Sequence, residues 1–297
     1  MDLLRNLFRR WRREERRPEA PLLPTPPTPS GPPRPTRTRM EVGWATHIGQ
    51  QRKLNEDALL ILEAWQEGHH SLPPFGLFIV ADGMGGHLSG EIASALAART
   101  AASFILQHVY FSFLHRREQR ANQPSLQEIL SSAIRAAHEV VTAQVPGGGT
   151  TLLCALVLGN SAYIANVGDS RAYLLNSTSA RQITRDHSVV DILVEMGQMS
   201  PAEALHHPQR NVLYRAVGQP GPLEVDTFRC SLVPGETLLL CTDGLWEMVP
   251  EEEIVKTVAN APSVQAACEK LIEKANEAGG KDNISVILVA PPDSSGE

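Results

Sequence analysis

Short apolar runs separated by polar and turn-forming residues dominate the chain after Met40. Runs of this length that are rich in leucine and β-branched residues are typical of buried β-strands. We predict strands at Ala58–Leu62, Gly76–Ala81, Thr151–Leu158, Ala162–Asn166, Ala172–Leu175, Thr237–Cys241 and Ile284–Val289.

Helical periodicity and capping signals occur between these runs. Ser89 can cap a helix that runs toward His108, and Ser125 with Glu128 forms a capping box ahead of a second long helix. Further helices are predicted after Asp186, Pro201, Pro250 and Ser263. Strands and helices therefore come in groups instead of alternating strictly, which predicts an α+β fold in one domain.

The first 39 residues have a different pattern. Within residues 1–17 an apolar stripe of leucine and aromatic side chains alternates with arginines, which predicts a basic amphipathic segment. Residues 18–36 contain nine prolines, so we predict a disordered, extended linker over 18–39. A single folded domain is then expected over 40–292, followed by a short tail at 293–297.

The basic segment has several interpretations that the sequence does not separate. Residues 2–17 can lie on the anionic inner membrane surface. They can also be a disordered tail, a helix that binds a partner, or the result of a start placed too early, because Met40 directly precedes the folded-looking sequence. Without an apolar run of membrane-spanning length or a signal peptide, we expect a cytoplasmic protein, with peripheral membrane contact as the alternative.

Charge is distributed unevenly along the chain. Residues 1–39 hold ten arginines against four acidic residues, whereas the remainder holds 17 basic and 29 acidic residues. A strongly acidic body argues against nucleic acid as a partner, because binding the phosphate backbone needs a basic surface. It suits a site that concentrates carboxylates around cations.

The four cysteines form no C-x-x-C pair and fall mostly in or beside apolar runs. We therefore expect them to be buried free thiols. None has an arginine six positions further on, which excludes cysteine-based phosphatase chemistry of the C-x5-R type.

Four aspartates stand at the ends of predicted strands: Asp82, Asp169 and Asp243 follow one, and Asp282 precedes one. Strand ends are rigid yet open to solvent, so carboxylates there can converge on a point. Adjacent glycines allow backbone carbonyls to approach an ion. Oxygen ligands without histidine or cysteine favour Mg²⁺ or Mn²⁺, and two such ions sharing a water suit phosphoester hydrolysis.

A site for a phosphate also needs a cation from the protein. Arg52 is our candidate, because a guanidinium group binds phosphate oxygens with two parallel hydrogen bonds. Glu56 and Asp57 follow closely and are expected to act on the metals through bound waters.

The chain resembles the PP2C-type (PPM) protein phosphatases, and most closely their bacterial branch. The resemblance spans residues 43 to 289 and rests on motifs that occur in the family's order. These motifs are Gly49-Gln50-Gln51-Arg52 with Asn55-Glu56-Asp57, Val80-Ala81-Asp82-Gly83-Met84-Gly85-Gly86-His87, Gly149-Thr150-Thr151, Gly168-Asp169-Ser170-Arg171, Thr242-Asp243-Gly244-Leu245-Trp246 and Lys281-Asp282-Asn283.

The resemblance implies a β-sandwich of two antiparallel sheets flanked by helix pairs, in α/β/β/α layers. It implies a monomeric serine/threonine phosphatase in which a water bridging two Mn²⁺ or Mg²⁺ ions attacks the phosphate, opposing a Ser/Thr kinase with shared substrates. Asp82 would bridge both ions and take part in catalysis, Gly83 would bind through its carbonyl, and Asp243 and Asp282 would complete the set.

The resemblance also marks departures from the family pattern. Asp169 matches the ligand of a third, weaker metal ion, and by alignment Glu195 takes the place of its acidic partner in the flap. Met84 stands where animal members have a histidine proposed as general acid, and His87 is not equivalent to it. The segment 186–217 matches the variable flap, where we expect His187, His206 and His207 to be solvated or to contact substrate.

Two other functions remain alternatives. An inactive PP2C-like domain would serve as a regulatory binding module, although such domains usually lose the aspartates that are retained here. A different two-metal enzyme, such as a nuclease, is disfavoured by the acidic body and by the lack of interleaved basic and aromatic residues.

Overall fold

Two antiparallel sheets form the centre of the structure, a computed structural model that describes residues 39–66, 72–85, 89–114, 124–204 and 207–292. These residues belong to one compact unit. The predicted basic segment 1–17, the linker 18–39 apart from its last residue, and the tail 293–297 lie outside the described residues.

Each sheet is built from strands that are distant in the chain. The first sheet has the order β1-β11-β10-β7-β8, and the second has the order β2-β3-β5-β6-β9, with β4 paired to the end of β3. The strands are β1 (Glu41–His47), β2 (Asp57–Ala64), β3 (Phe75–Met84), β4 (Gly149–Thr150), β5 (Leu152–Leu158), β6 (Ser161–Val167), β7 (Arg171–Leu175), β8 (Ala180–Gln182), β9 (Asp226–Ser231), β10 (Thr237–Cys241) and β11 (Ile284–Ala290).

Helices cover the outer faces of both sheets and also occur in the segment 186–217. They are α1 (Ser89–Ile105), a π-helical turn (Leu106–Tyr110), α2 (Phe111–Leu114), α3 (Leu126–Gln144), α4 (Val189–Glu195), α5 (Pro201–Ala204), α6 (Asp243–Trp246), α7 (Glu251–Asn260) and α8 (Val264–Glu277). The first long helix was expected to run toward His108; it ends as an α-helix at Ile105, and the π-helical turn contains His108.

Alternating side chains of the strands divide the core into layers. In β3, Leu77 and Ile79 pack against α1 and α3, whereas Phe78 and Val80 point between the two sheets. A third cluster joins the outer face of the first sheet to α7 and α8. Because successive strand residues face opposite sides, a strand buried on both faces reads as a continuous apolar run. The predicted α/β/β/α layering is confirmed.

Local capping explains where several helices begin. Ser125 and Glu128 form the predicted capping box at α3, with the Ser125 Oγ accepting from the Glu128 N–H and the Glu128 carboxylate accepting from the Ser125 N–H. Ser263 accepts from the Ala266 N–H at the start of α8. Each such cap satisfies backbone donors that have no partner inside the helix.

The four cysteines are buried and free, as predicted. Within the described part of the chain, no helix combines the length and the apolar character needed to cross a membrane.

Candidate metal centre

A cavity of 230 Å³ opens at one end of the sandwich, where both sheets contribute acidic residues. Asp82 comes from β3 of the second sheet, Asp243 follows β10 and Asp282 precedes β11 of the first sheet. All three line the cavity, together with Arg52, Glu56, Gly83 and Asp169. The structure thus brings together most residues that the sequence predicted for the site.

Two threonines of the Gly149-Thr150-Thr151 motif fix the backbone of Asp82. The Asp82 N–H donates to Thr151 Oγ1 at 2.9 Å, and its carbonyl accepts from Thr150 Oγ1 at 2.8 Å and from the Thr151 N–H at 2.9 Å. The family resemblance included this motif but gave no role for its threonines. Its hydroxyl groups hold Asp82 in place within the last part of β3.

Asp57 faces Asp82 directly across the β2–β3 ladder, so two carboxylates are neighbours in one sheet. The Asp57 carboxylate accepts a hydrogen bond from Thr242 Oγ1 at 3.1 Å. Burial, and to a lesser extent the nearby Asp282, raises the pKa of Asp57 to about 7. The sequence around Asp57 suggested a charged loop. In the structure Asp57 instead begins β2 and lies beside Asp82.

Asp243 and Asp282 are positioned by the loops that follow and precede neighbouring strands. Asp243 is the first residue of α6, whose N-cap is Thr242. Beside Asp282, the Asn283 side chain accepts from the Glu56 N–H at 2.8 Å and donates to the carbonyls of Ile48 and Leu54. Asn283 thereby attaches the segment that carries Arg52 and Glu56 to the same end of the sandwich.

Arg52 lies at the mouth of the cavity with about half of its side chain exposed. Its Nη2 donates to the Asp282 carboxylate, so the candidate phosphate-binding residue is paired with a candidate metal ligand. An exposed guanidinium has further N–H groups that can reach a phosphate.

Gly83 allows the chain segments of the site to pack closely. A Cβ atom at this position would stand 2.3 Å from the Gly90 carbonyl oxygen and 2.6 Å from that of Glu56. Both contacts are with backbone atoms, so a larger residue would push α1 and the segment before β2 away from β3.

The carboxylates fit divalent cations by their chemistry. Buried oxygens of Glu56 (Oε1), Asp57 (Oδ1) and Asp243 (Oδ1) have no hydrogen-bond partner. Burial, followed by the charges of the surrounding carboxylates, raises the pKa values of Asp82 and Asp243 well above the usual range. Hard cations would satisfy these oxygens and offset the repulsion.

The carboxylates surround a shared cavity and not a single point. Among the described residues, no group of three or more acidic, histidine or cysteine side chains is already arranged closely enough to hold one ion. An arrangement spread around a cavity suits ions that keep several water ligands, as Mg²⁺ does.

Asp169 lies in the turn between β6 and β7 and is buried. The Trp246 indole donates to its carbonyl at 3.1 Å, and burial, followed by the charge of Asp186, raises its pKa to about 7. Glu195, expected beside it, is exposed at the end of α4 and does not line this cavity. Asp191, one helical turn earlier, lines a second, larger cavity together with Asp169.

Among the flap histidines, His187 differs from the expectation of a solvated side chain. His187 is buried; its Nδ1 accepts from the Gly168 N–H at 3.0 Å, and burial followed by the charge of Arg215 lowers its pKa. It therefore supports the turn that carries Asp169. His207 is partly exposed, whereas His206 and His87 lie outside the described residues.

Sequence reasoning missed two residues of the flap that line the metal centre. Asn211 and Leu213 face the same cavity as Asp82 and Asp243. The flap base is held by backbone hydrogen bonds from Val189 to Val212 and from Tyr214 to His187. No local pattern marks loop residues of this kind, because the contacts that place them are distant in sequence.

A cavity lined with carboxylates that lack hydrogen-bond partners, with an arginine at its mouth, is typical of enzymes that hydrolyse phosphoric esters with divalent cations. The sequence profile of the family described as Protein phosphatase 2C matches residues 45–288. The chain belongs to this family and is a metal-dependent serine/threonine protein phosphatase that acts on phosphorylated proteins.

Similar proteins are bacterial phosphatases. The serine/threonine phosphatase stp of Listeria innocua is 39% identical over 230 residues, which cover 74% of this chain and 90% of that protein. The serine/threonine phosphatase Stp1 of Staphylococcus aureus superposes with a TM-score of 0.71 at 34% identity, covering 88% of this chain and 98% of that one. The catalytic domain of PstP in complex with two manganese ions superposes with a TM-score of 0.67 at 30% identity, covering 85% and 98%.

Proposed function

We propose that this phosphatase hydrolyses phosphoserine and phosphothreonine with two Mn²⁺ or Mg²⁺ ions held by Asp82, Asp243, Asp282 and the carbonyl of Gly83. The supporting observation is the set of buried carboxylate oxygens without partners around the cavity between the two sheets. When bound, the ions supply an activated water as nucleophile and neutralise charge on the phosphate. Glu56 and Asp57 orient water in this cavity.

Arg52 binds the substrate phosphate at the cavity mouth. In the absence of phosphate it pairs with Asp282, which keeps its side chain directed toward the site. A phosphate oxygen can replace that carboxylate as an acceptor, because both accept the same guanidinium donors. Asp169 is our candidate ligand for a third, weaker ion beside the main pair.

The test is release of phosphate from phosphothreonine peptides by the full chain with Mn²⁺ or Mg²⁺. Activity should be lost with a chelator and fall by at least about a hundredfold in Asp82→Asn and Asp243→Asn. Mn²⁺ binding, followed by calorimetry, should weaken in both variants while their folding, followed by circular dichroism, stays intact. Peptide binding without turnover by the wild type would favour the regulatory module instead.

The basic segment 1–17 is proposed to bring the enzyme to anionic membrane surfaces. Its arginines and apolar stripe support this role. Co-sedimentation with liposomes containing phosphatidylserine should be stronger for the full chain than for a variant beginning at Met40, and equal partitioning would contradict it.

Phosphoproteins modified by a Ser/Thr kinase are the proposed substrates, and the enzyme is proposed to act as a monomer.

A further inference from the structure

A second, larger cavity of 670 Å³ adjoins the metal centre, and Asp169 belongs to the walls of both. One wall is formed by α4 and the following flap residues, and the other by the segment 246–251 of the body. Its volume is ample for a ligand side chain. Because the two cavities share Asp169, residues close to the phosphorylated residue of a bound peptide are near this second cavity.

Part of the cavity lining is apolar, and its largest side chain, Trp246, is held in place by two contacts. Val194 of α4 and Trp246 and Met248 of the body line the cavity. Trp246 is fixed on both sides, because its ring stacks on the Arg171 guanidinium at 3.6 Å and its Nε1 donates to the Asp169 carbonyl. Such a surface suits the aliphatic stem of a long side chain.

The charges of the cavity favour a cation. Two of its basic residues are already paired: Arg171 donates to the buried Asp186 carboxylate from Nε and Nη2, and Arg210 of the flap donates to Glu247 of the body at 3.2 and 3.3 Å.

Two acidic residues of the cavity have no such partner. Asp191 and Glu251 form no salt bridge with any of the residues that the structure describes. Only the exposed Lys281 remains to balance them on this part of the wall, so the cavity keeps an excess of negative charge.

We propose that this cavity is a substrate subsite for an arginine or lysine near the phosphorylated residue. The stem would lie between Val194 and Trp246, and the charged end would reach Asp191 and Glu251. An extended peptide advances about 3.3 Å per residue, so the basic residue stands within a few positions of the phosphothreonine. The proposal rests on the proposed function of the metal centre and adds a sequence preference to it.

The test compares phosphothreonine peptides that carry one arginine, glutamine or glutamate at each position from three before to three after the phosphothreonine. With the full chain and Mn²⁺, the arginine peptide should have a kcat/KM about fivefold above that of the glutamine peptide at one or two positions. The glutamate peptide should fall below the glutamine peptide at the same positions. Hydrolysis of para-nitrophenyl phosphate, which has no peptide chain, supplies the reference rate for each variant.

Two variants test the subsite itself. Glu251→Gln should reduce the arginine preference to about twofold or less, since it removes a charge and little volume. Val194→Trp should fill the cavity and remove the preference. Glu252→Gln is the matched control, because Glu252 is the exposed neighbour of Glu251 and does not line the cavity; this variant should retain the full preference.

The outcomes separate the two proposals. If no phosphopeptide is hydrolysed, the proposed function and the subsite both fail. If the peptides are hydrolysed but arginine, glutamine and glutamate are equivalent at every position, only the subsite is overturned. An arginine preference that survives both Glu251→Gln and Val194→Trp also overturns it.

Discussion

Single residues set the charge balance of the metal centre. Asp57 and Asp82 are neighbours across β2 and β3, and the apposed Asp243 adds a further buried carboxylate. Among the described residues that line this cavity, Arg52 is the one basic side chain, and it is partly solvated. One exposed arginine does not neutralise several carboxylates around one cavity, so we expect this site to attract cations from solution.

Removal of the Arg52 guanidinium tests its proposed contact with phosphate. We expect Arg52→Ala to raise KM for phosphothreonine peptides by about tenfold, because a charge-assisted hydrogen bond to phosphate contributes on the order of 1–3 kcal/mol. Arg52→Lys keeps the charge but not the bidentate geometry and should recover part of the loss. Steady-state kinetics separates KM from kcat. A fall in kcat at unchanged KM would indicate that Arg52 acts on Asp282 instead of substrate.

The buried pair of Arg171 and Asp186 should be important for stability. Arg171→Met leaves the Asp186 carboxylate buried without a cation, and we expect a loss of about 3–5 kcal/mol in the free energy of unfolding by urea. The double variant Arg171→Met with Asp186→Leu removes both charges and should regain much of that loss. A double variant less stable than Arg171→Met would contradict this account.

The residues of the site were predictable to different degrees. Asp82, Asp243 and Asp282 stand beside apolar runs and glycines, so the sequence indicated both their identity and their position. The surroundings of Asp57 and the burial of His187 were not predictable, because they depend on contacts with Thr242 and Gly168, which lie outside the local sequence of each residue. Glu195 stays a prediction from alignment; its side chain is exposed at the end of α4, and Asp191, one turn earlier, lines a cavity together with Asp169.

At the scale of elements, the strands that the sequence did not predict lie at sheet edges, apart from the buried two-residue β4. β1, β8 and β9 each pair with a single strand and carry exposed or half-buried positions. An edge strand with a solvated face lacks the continuous apolar run of a central strand. The central strands could therefore be predicted from local sequence. The edge strands could not, because they form only by pairing with a partner strand; the partner of β1 is β11, which lies more than 230 residues later in the chain.

The capping box of α3 offers a test of a locally encoded element. We expect Ser125→Ala to lower the free energy of unfolding by about 1 kcal/mol, because it removes the acceptor of the Glu128 N–H at the helix start. Urea denaturation measures the change. Ser177→Ala, in the exposed turn between β7 and β8, is the control and should stay within about 0.5 kcal/mol of wild type. Equal losses in the two variants would argue against a specific capping effect.

At the scale of the whole molecule, the metal centre joins the two sheets. Asp57 and Asp82 belong to the second sheet, whereas Asp243 and Asp282 flank strands of the first. Their mutual repulsion acts between the layers, and Thr242, which binds Asp57, links the layers directly. Ions bound between these carboxylates should therefore stabilise the packing of one sheet on the other.

This arrangement predicts opposite effects of pH with and without ions. In the metal-free fold the pKa of Asp57 and of Asp169 is about 7. An aspartate in the unfolded chain has a pKa of about 3.9. Between these values the folded state binds more protons than the unfolded state. The contribution of these groups to stability is therefore fully present below about pH 4 and is lost as pH rises toward 7.

Divalent ions bind the ionised carboxylates and compete with protons, so their stabilising effect should grow over the same interval. We expect saturating Mn²⁺ to raise the melting temperature more at pH 7.5 than at pH 5.5, relative to protein with a chelator. An ion at a hundredfold excess over its Kd stabilises by about 2.7 kcal/mol. Asp243→Asn should show a smaller increase at pH 7.5. An equal shift at both pH values would mean that the ions bind elsewhere, since only ligands that lose protons in this range couple the ions to pH.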